Sequence, residues 1–360
     1  MAIIADQDSK YRGFTFNQAS DPSTKTVGDT WLDDNGNAWI WDSNAWVLWG
    51  VNNWPYGYAA GGFRAVQFST VDRITFPFDS GIATSTGSLG VVVMDSSWAN
   101  SSTHGYCSGG ASTGINETSI IQKIAFPFDS GTAPTVGSIS TSKRLTTGCN
   151  SSTYGYVMGG SPSVSTYFSD IDRLTFPFDS GTAGTVGNLS YSSSSFDSCN
   201  SSNYGYTFAG RGSSSTLILN SIIDRITFPF NSGTASHVGD LSGSRDGMSG
   251  CNSSNYGYSM GGMGTVITPI SIIDRIAFPF NSGTASNVGS LSFNVRSFAG
   301  CNSSNYGYTF GGYLNTTWSS QIDRFTFPFD SGTSINVGSL SQSKNEVCGG
   351  DGTDFVSLFN

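Results

Sequence analysis

The chain has 360 residues, of which 46 are glycine, 13% are aromatic and only 11% are charged, and its formal net charge at pH 7 is -9. This mixture favours strands and turns over helices. The scarcity of Lys and Arg argues against a nucleic-acid partner, because phosphate contacts require basic clusters. The sequence has no run of 18 apolar residues, and residues 1–11 lack the basic and apolar regions of a secretory signal, so we expect neither a membrane span nor a secretory leader.

The first 54 residues hold six of the eight tryptophans. Asn35-Gly36 is a strong hairpin signal, and a second turn at 42–44 completes a predicted three-stranded meander over 30–49. The string Gly28-Asp29-Thr30-Trp31, with Ala38-Trp39-Ile40-Trp41 after it, resembles a short module of bacteriophage tail and fibre proteins. Two interpretations stay open: the tryptophans are the core of a small segment, or they form a docking surface. The candidate docking residues are Trp31, Trp39 and Trp41.

A repeat covers nearly all of the remaining chain. Its clearest marker is Gly-Tyr after an aromatic residue or His, and the glycine of this marker is Gly57, Gly105, Gly155, Gly205, Gly257 and Gly307. The successive spacings are 48, 50, 50, 52 and 50 residues. Each unit continues with a glycine doublet, a segment such as Ile-Asp-Arg-Leu-Thr-Phe-Pro-Phe, and a turn such as Asp-Ser-Gly.

Each unit contains four short strand signals separated by turn residues. In the last unit they are strand A (295–301), strand B (306–310), strand C (322–329) and strand D (336–340). A period near 50 with four strands per unit is typical of a propeller blade, in which each sheet packs face to face on its neighbours around an axis. The predicted fold class is therefore an all-β propeller.

The residues also resemble the kelch family of propellers. The resemblance rests on Arg296-Ser297-Phe298-Ala299-Gly300 before a turn and Tyr308-Thr309-Phe310-Gly311-Gly312 after it, a pattern that recurs along the chain. The later Tyr and Trp markers of the family are replaced by Phe-Pro-Phe. The family hosts many functions, so the resemblance implies a kelch-like fold and no particular activity.

The two ends of the chain decide the number of blades. Residues 46–51 align with strand A, and 344–348 and 354–359 align with a further A and B, which favours seven blades closed by both termini. Six blades with a separate N-terminal module is the alternative. We accordingly expect a Trp-rich attachment or closure segment over 1–45 and the propeller over 46–360.

Cysteine and histidine offer little for chemistry. Five cysteines are assigned by alignment to the last position of strand A (Cys149, Cys199, Cys251, Cys301 and Cys348), and Cys107 lies in strand B. Neighbouring inner strands are too far apart for disulfides, so structural thiols are expected. The two histidines, His104 and His237, cannot supply a metal site or a catalytic triad. We predict no cofactor and no metal.

An Asp-Arg pair recurs in strand C, for example Asp172-Arg173, with Gln122-Lys123 in the second unit. Successive strand residues face opposite sides, so each Asp faces one neighbouring blade and each Arg the other. We therefore expect a ring of inter-blade Arg–carboxylate pairs, an architectural role. A glycosidase would instead need two carboxylates at a set separation in one pocket.

One face of the propeller is predicted to vary. The A–B and C–D turns share one face and are nearly uniform, whereas the B–C and D–A connections share the other and differ in length and content. Loops on a rigid scaffold are common recognition sites, although drift under weak constraint is the alternative. The candidate partner- or glycan-binding residues are Phe63, Phe68, Tyr167, Phe168, Leu217, Ile267, Tyr313 and Trp318.

These features lead to one functional hypothesis and one alternative. The hypothesis is a non-enzymatic bacteriophage virion protein on the tail, neck or capsid, since the Ile-Asp-Arg-Ile-Thr-Phe-Pro-Phe repeats resemble those of phage virion proteins. It would be surface-exposed, present in multiple copies on a symmetric assembly, and in contact with other virion proteins and a host-surface glycan or receptor. The alternative is a virion-associated enzyme acting on polysaccharide.

Overall fold

In a computed structural model of the chain, the described residues are 55–352, except 114–115, 164–165 and 213–217, together with 16–17, 26, 29–32, 38–41 and 46–48. The chain divides into two compact units, 1–53 with 356–360 and 54–355. The described elements are β-strands, and none of the described residues forms an α-helix.

The first unit contains a four-stranded sheet. Thr30–Leu32, Ala38–Trp41 and Trp46–Leu48 pair antiparallel in sequence order, and Phe16–Asn17 pairs parallel to Thr30–Leu32. The predicted three-stranded meander is therefore confirmed. The side chains of Trp31 and Trp39 lie outside the described part of the structure, and Trp41 is half-buried.

The second unit is a β-propeller of six blades with four strands each. Each blade pairs its strands antiparallel in the order A, B, C, D. From blade 1 to blade 6, strand A spans Cys348–Asp351, Ser97–Asn100, Thr147–Asn150, Asp197–Asn200, Ser249–Asn252 and Ala299–Asn302. Strand B spans Tyr56–Ala60, His104–Ser108, Tyr154–Ser163, Tyr204–Gly212, Tyr256–Met260 and Tyr306–Tyr313. Strand C spans Thr70–Thr75, Ile120–Ala125, Thr166–Thr175, Ile218–Thr227, Ile272–Ala277 and Trp318–Thr326. Strand D spans Thr84–Leu89, Thr135–Ser138, Gly184–Asn188, Ser236–Asp240, Ser286–Ser290 and Ile335–Ser339.

Short additional strands lie in the connections between these elements. They are Phe63–Arg64, Val66–Gln67, Ala111–Ser112, Asn116–Glu117, Thr132–Ala133, Ser193–Ser194, Arg245–Asp246 and Met263–Gly264.

The prediction of seven blades is wrong. Cys348–Asp351 pairs antiparallel with Tyr56–Ala60 and so supplies strand A of blade 1. Trp46–Leu48, expected as part of a first strand A, pairs instead with Ala38–Trp41. The expected strand over 354–359 lies outside the described residues. Pairing with Cys348–Asp351 covers the inner edge of Tyr56–Ala60, and this satisfies backbone groups of strand B that would otherwise lack partners.

This register also corrects the assignment of Cys348. Asp351 pairs with Gly57 just as Asn302 pairs with Gly307, so the position held by Cys301 in blade 6 is held by Gly350 in blade 1. Cys348 is the first residue of its strand and corresponds to Ala299. The other four cysteines assigned to strand A do occupy equivalent positions. They form the inner cysteine ring, which consists of Cys149, Cys199, Cys251 and Cys301.

The tyrosine of each Gly-Tyr pair joins adjacent blades. These six tyrosines are fully buried, and each ring stacks on the first Phe of Phe-Pro-Phe in the next blade, with centroids 5.1–5.4 Å apart. Each hydroxyl also accepts a hydrogen bond of 2.9–3.1 Å from the backbone N–H of the second Phe. The contact between Tyr308 and blade 1 has this same form, so the closing interface resembles the other five.

Glycine in strand D permits the blades to approach closely. A Cβ atom at Gly187 would lie 2.3 Å from the carbonyl oxygen of Gly233 in the next blade. The backbone of Asn188 instead exchanges hydrogen bonds with that turn, accepting from Ala235 and donating to Gly233. The glycine that recurs at this position of strand D thus has a steric cause.

Removing one inter-blade hydroxyl tests the tyrosine contact. In Tyr206→Phe the partly buried N–H of Phe280 loses its acceptor while the ring stacking remains, so we expect the free energy of unfolding to fall by about 0.5–1.5 kcal/mol. Urea denaturation measures this change. Tyr204→Phe is the matched control, because Tyr204 is only half-buried, and equal effects in the two variants would contradict the assignment.

Candidate functional site

The repeated arginines of strand C hold neighbouring blades together. Each guanidinium lies 4.3–4.7 Å from the centroid of the first tyrosine of its own blade, as in Arg73 over Tyr56. Each also donates to the residue after Phe-Pro-Phe in the next blade. The acceptors are Asp129, Asn231, Asn281, Asp330 and Asp79, and Lys123 pairs with Asp179 in the same way at 2.5 Å.

The expected ring of inter-blade pairs is therefore confirmed only in part. In two interfaces an Asn replaces the carboxylate, and the partners come from the C–D turns rather than from the Asp of Asp-Arg. His104 takes the place of the first tyrosine in blade 2, and burial together with the charge of Lys123 lowers the pKa of His104.

The strand-C aspartates bind the connection that enters strand A of their own blade. Ser190 and Ser242 donate from both backbone N–H and hydroxyl to Asp224 and Asp274. In blades 1, 3 and 5 a buried cationic side chain also contacts the strand-C Asp. The pairs are Lys344–Asp72, Lys143–Asp172 and Arg245–Asp274, with N–O distances of 3.1–3.2 Å. In blade 2, where Gln122 replaces the Asp, its amide exchanges hydrogen bonds with the backbone of Val91 in the same connection. These contacts support the architectural interpretation of the repeated residues.

Acidic residues that are not part of the repeat lie along the propeller axis. A cavity of about 160 Å³ is lined by the six A strands and the residues just before them. Four carboxylate residues, Asp95, Asp197, Glu346 and Asp351, belong to this lining, and its described members include no Lys, Arg or His. The cavity is therefore acidic.

A backbone ring borders one end of this cavity. Six equivalent residues before the A strands have a left-handed backbone, with φ between 53° and 62°. Each N–H donates to the carbonyl of the equivalent residue in the preceding blade at 2.7–3.1 Å, which closes a circle of hydrogen bonds. The members are Asp95, Leu145, Ser195, Gly247, Ser297 and Glu346. This conformation also explains why strand A begins at Ala299 and not at Val295 as predicted.

Amide side chains join the opposite ends of the A strands. The backbone N–H groups of Asn100, Asn200 and Asn252 donate to the side-chain oxygen of the Asn in the next blade at 2.9–3.2 Å. Asn302 donates in the same way to Asp351 at 3.2 Å. The Asn at the end of strand A therefore links neighbouring A strands around the propeller axis.

Two acidic residues are adjacent in the backbone ring. The Asp95 side chain is 7% exposed, and Arg144 Nη1 lies 3.9 Å from its Oδ2. Burial and the neighbouring charge of Glu346 hold the pKa of Asp95 well above its usual range, while Arg144 and Arg211 oppose this rise. Burial also raises the pKa of Glu346. The carboxyl groups of Asp95 and Glu346 therefore bind a proton at a higher pH than ordinary carboxylates do.

Asp197 occupies the cavity wall in blade 4. It accepts from the N–H of Gly250 at 2.6 Å, from the N–H of Ser198 at 2.7 Å and from the Thr147 hydroxyl at 3.1 Å. Burial raises its pKa to about 6 despite these donors. The other blades have Ser, Thr, Ala or Cys at this position. The signal that could have identified Asp197, Asp95 and Glu346 from sequence is their departure from the repeat.

The predicted binding residues lie mostly in the B–C connections, but few are fully exposed. Phe63, Phe68, Tyr167, Phe168, Tyr313 and Trp318 are half-buried, and the last two rings contact each other with centroids 6.0 Å apart. Ile267 is 64% exposed and its neighbour Val266 is 80% exposed. Leu217 lies outside the described residues. Among the described residues of this face, the most accessible apolar group therefore lies in blade 5.

Within the described residues, no group of three or more His, Cys, Asp or Glu side chains could hold a metal ion. None of the described segments forms a helix long and apolar enough to cross a membrane.

Comparisons with known proteins establish the fold alone. No protein family and no curated protein matches the sequence, whereas 347 chains of solved structures match the fold. One of them, described as "Structure of YjhT", aligns over 72% of this chain and 88% of its own length with a TM-score of 0.59 and 12% identity. The chain is thus similar in architecture to a known propeller.

The titration of Asp197 gives a test of the cavity electrostatics. Its folded pKa of about 6 exceeds the unfolded value near 3.9, so its contribution to stability is fully present below about pH 4 and is lost as the pH rises through about 6. We expect the free energy of unfolding of Asp197→Asn to gain about 1–3 kcal/mol relative to the wild type between pH 4 and pH 7.

Denaturation profiles at several pH values provide the measurement. Ser198→Ala is the control, because it alters the same strand without a titrating group and should shift stability equally at each pH. Parallel profiles for the wild type and Asp197→Asn would contradict the raised pKa.

Proposed function

We propose that this chain is a non-enzymatic binding protein of a bacteriophage virion, a kelch-like propeller that presents the face of its B–C connections to a partner. The virion context rests on the resemblance of the N-terminal tryptophan module and of the Phe-Pro-Phe repeats to phage proteins. The partners are other virion proteins and a host-surface glycan or receptor.

The observation that carries the proposal is the contrast between the two faces of the propeller. The face of the A–B and C–D turns repeats the same contacts in every blade, including the inter-blade pairing of Arg or Lys with Asp or Asn. The other face is uneven, since strands B and C extend into long hairpins in blades 3, 4 and 6 but stop earlier in blades 1, 2 and 5. Variation on a rigid scaffold supports recognition.

Exposed apolar side chains on the uneven face strengthen the argument. Val266 and Ile267 are 80% and 64% exposed in blade 5, Val66 is 60% exposed in blade 1, and Ile218 is 45% exposed in blade 4. Ile267 also has a left-handed backbone with φ of 56°, an unusual and strained conformation for a β-branched residue. Such groups favour contact with a partner that removes them from water.

An enzyme acting on polysaccharide is the second candidate, and one observation favours it. Asp95 and Glu346 are adjacent acidic residues with raised pKa values at the end of the axial cavity, an arrangement that suits acid–base catalysis. Incubation of the protein with the envelope polysaccharide of the host would distinguish the two candidates. Release of oligosaccharides that is lost in Asp95→Asn and Glu346→Gln would favour the enzyme.

Replacing the exposed pair in blade 5 tests the binding face. We expect the double variant Val266→Ser with Ile267→Ser to lose at least tenfold in affinity for isolated host envelope polysaccharide or for purified virions lacking this protein. Its melting temperature should stay near that of the wild type, because neither side chain is packed.

The chain supplies a matched control on the opposite face. Ile82 and Ile335 are 70% and 52% exposed. Ile335 is the first residue of strand D in blade 6 and Ile82 lies two residues before strand D in blade 1, both next to the C–D turns, so their change to Ser should leave binding intact. Equal losses from both double variants would overturn the choice of face. Absence of the protein from purified virions, measured by mass spectrometry, would overturn the virion assignment.

A further inference from the structure

Two cysteines outside the inner cysteine ring meet at the interface of blades 1 and 2. Cys107 lies in strand B of blade 2 and Cys348 begins the C-terminal strand A of blade 1. Their sulfur atoms are 2.8 Å apart, and the residues are 1% and 2% exposed. Although 241 positions separate them in sequence, the closure of the ring places them side by side.

The pairing is specific to this interface. The position of Cys107 is held by Ala59, Val157, Thr207, Ser259 and Thr309 in the other blades, and the position of Cys348 by Ser97, Thr147, Asp197, Ser249 and Ala299. Cysteine thus occurs at both positions only where the two face each other. The ring cysteines, in contrast, pack on glycine of the next blade, as Cys149 does on Gly205.

We propose that Cys107 and Cys348 form a peroxide-sensitive disulfide that fastens the C-terminal strand of the propeller to blade 2. A reversible covalent bond at this point would join blade 1 to blade 2 beside the hydrogen bonds between Cys348–Asp351 and Tyr56–Ala60. The inference is independent of the partner and the virion context proposed above.

A small oxidant has a route to this pair. Cys348 and the neighbouring Ser96 line the axial cavity, and the Ser96 hydroxyl lies 3.0 Å from the Cys107 sulfur. A cavity of about 160 Å³ admits a molecule as small as hydrogen peroxide. Cys107 does not line the cavity, so the oxidant first reaches Cys348.

The surroundings also favour Cys348 as the attacking thiolate. Burial opposes ionisation, but hydrogen bonds with Cys107 and Ser96 and the positive charge of Lys344 outweigh it and lower the pKa of Cys348. The hydrogen bond with Cys348 and burial raise the pKa of Cys107. Cys348 is therefore the more readily ionised of the two thiols, as in cysteines that react with peroxide.

The chemistry balances with one molecule of hydrogen peroxide. The Cys348 thiolate attacks one peroxide oxygen, an S–O bond forms, the O–O bond breaks, and the departing hydroxide takes the proton that Cys348 released. The Cys107 sulfur then attacks the sulfenic sulfur, an S–S bond forms, the S–O bond breaks, and water leaves with the proton of Cys107. The two thiols lose two electrons and the peroxide gains them.

The test uses the full chain, first reduced and then treated with hydrogen peroxide. Thiol titration in denaturant should fall from the six cysteines of the sequence to four, peptide mapping should show one linkage between the peptides of Cys107 and Cys348, and dithiothreitol should restore all six. The oxidised chain should melt several degrees higher, because the bond restricts a very long loop of the unfolded chain.

The repeat itself supplies conservative variants. Cys107→Ala and Cys348→Ala introduce the residue found at these positions in blades 1 and 6, and each should abolish the linkage and the rise in melting temperature. Cys149→Ala is the control and should lose two thiols on oxidation as the wild type does. Retention of all six thiols in the wild type, linkage to other cysteines, or oxidation of the ring cysteines as fast as Cys348 would overturn the proposal.

Discussion

The stacked and hydrogen-bonded tyrosine between blades is the contact on which the propeller depends. Each blade exposes two sheet faces, and a sheet is stable only when such faces are covered. The tyrosine covers one of them with its ring and also satisfies a backbone N–H in the turn of the next blade. Because this contact combines apolar burial with a directional bond, it fixes both the separation and the register of neighbouring blades. Its sixfold recurrence turns a short sequence motif into a closed ring.

Closure adds a constraint that no single repeat contains. The last described strand, Cys348–Asp351, must pair with the first complete strand of the propeller, and its pairing gives blade 1 the same four-stranded form as the others. The circle of backbone hydrogen bonds at the axis is completed by the same event, since Glu346 precedes that strand and accepts from Asp95. A reversible bond between Cys107 and Cys348 would reinforce the one blade whose strands come from both ends of the propeller.

Much of this architecture was predictable from the sequence because it recurs. The period, the four strands, the two unequal faces and the inter-blade direction of the arginines all follow from repeated residues. The number of blades did not follow, because the partner of Tyr56–Ala60 lies at the opposite end of the chain. Cys348 was misassigned because alignment by residue type ignored the register with Ala60. The acceptors of the arginines lie in the C–D turns of the next blade, and the alternation of side chains along a strand does not predict how far such a turn reaches sideways. The four acidic residues of the axial cavity come close together only when the six A strands are assembled.

The repeated residues and the unique residues of the propeller have different roles. Repeated charges are used to join blades, whereas unique residues line the axis and vary on the B–C face, where recognition is proposed. The central structural claim is a ring of six blades closed by the C-terminal strand, and a crystal structure of the full chain tests it most directly. The account predicts Cys348–Asp351 hydrogen-bonded to Tyr56–Ala60 and Tyr308 against Phe76 of blade 1. A seventh blade containing residues 46–51, or a ring open between Tyr308 and Phe76, would contradict it.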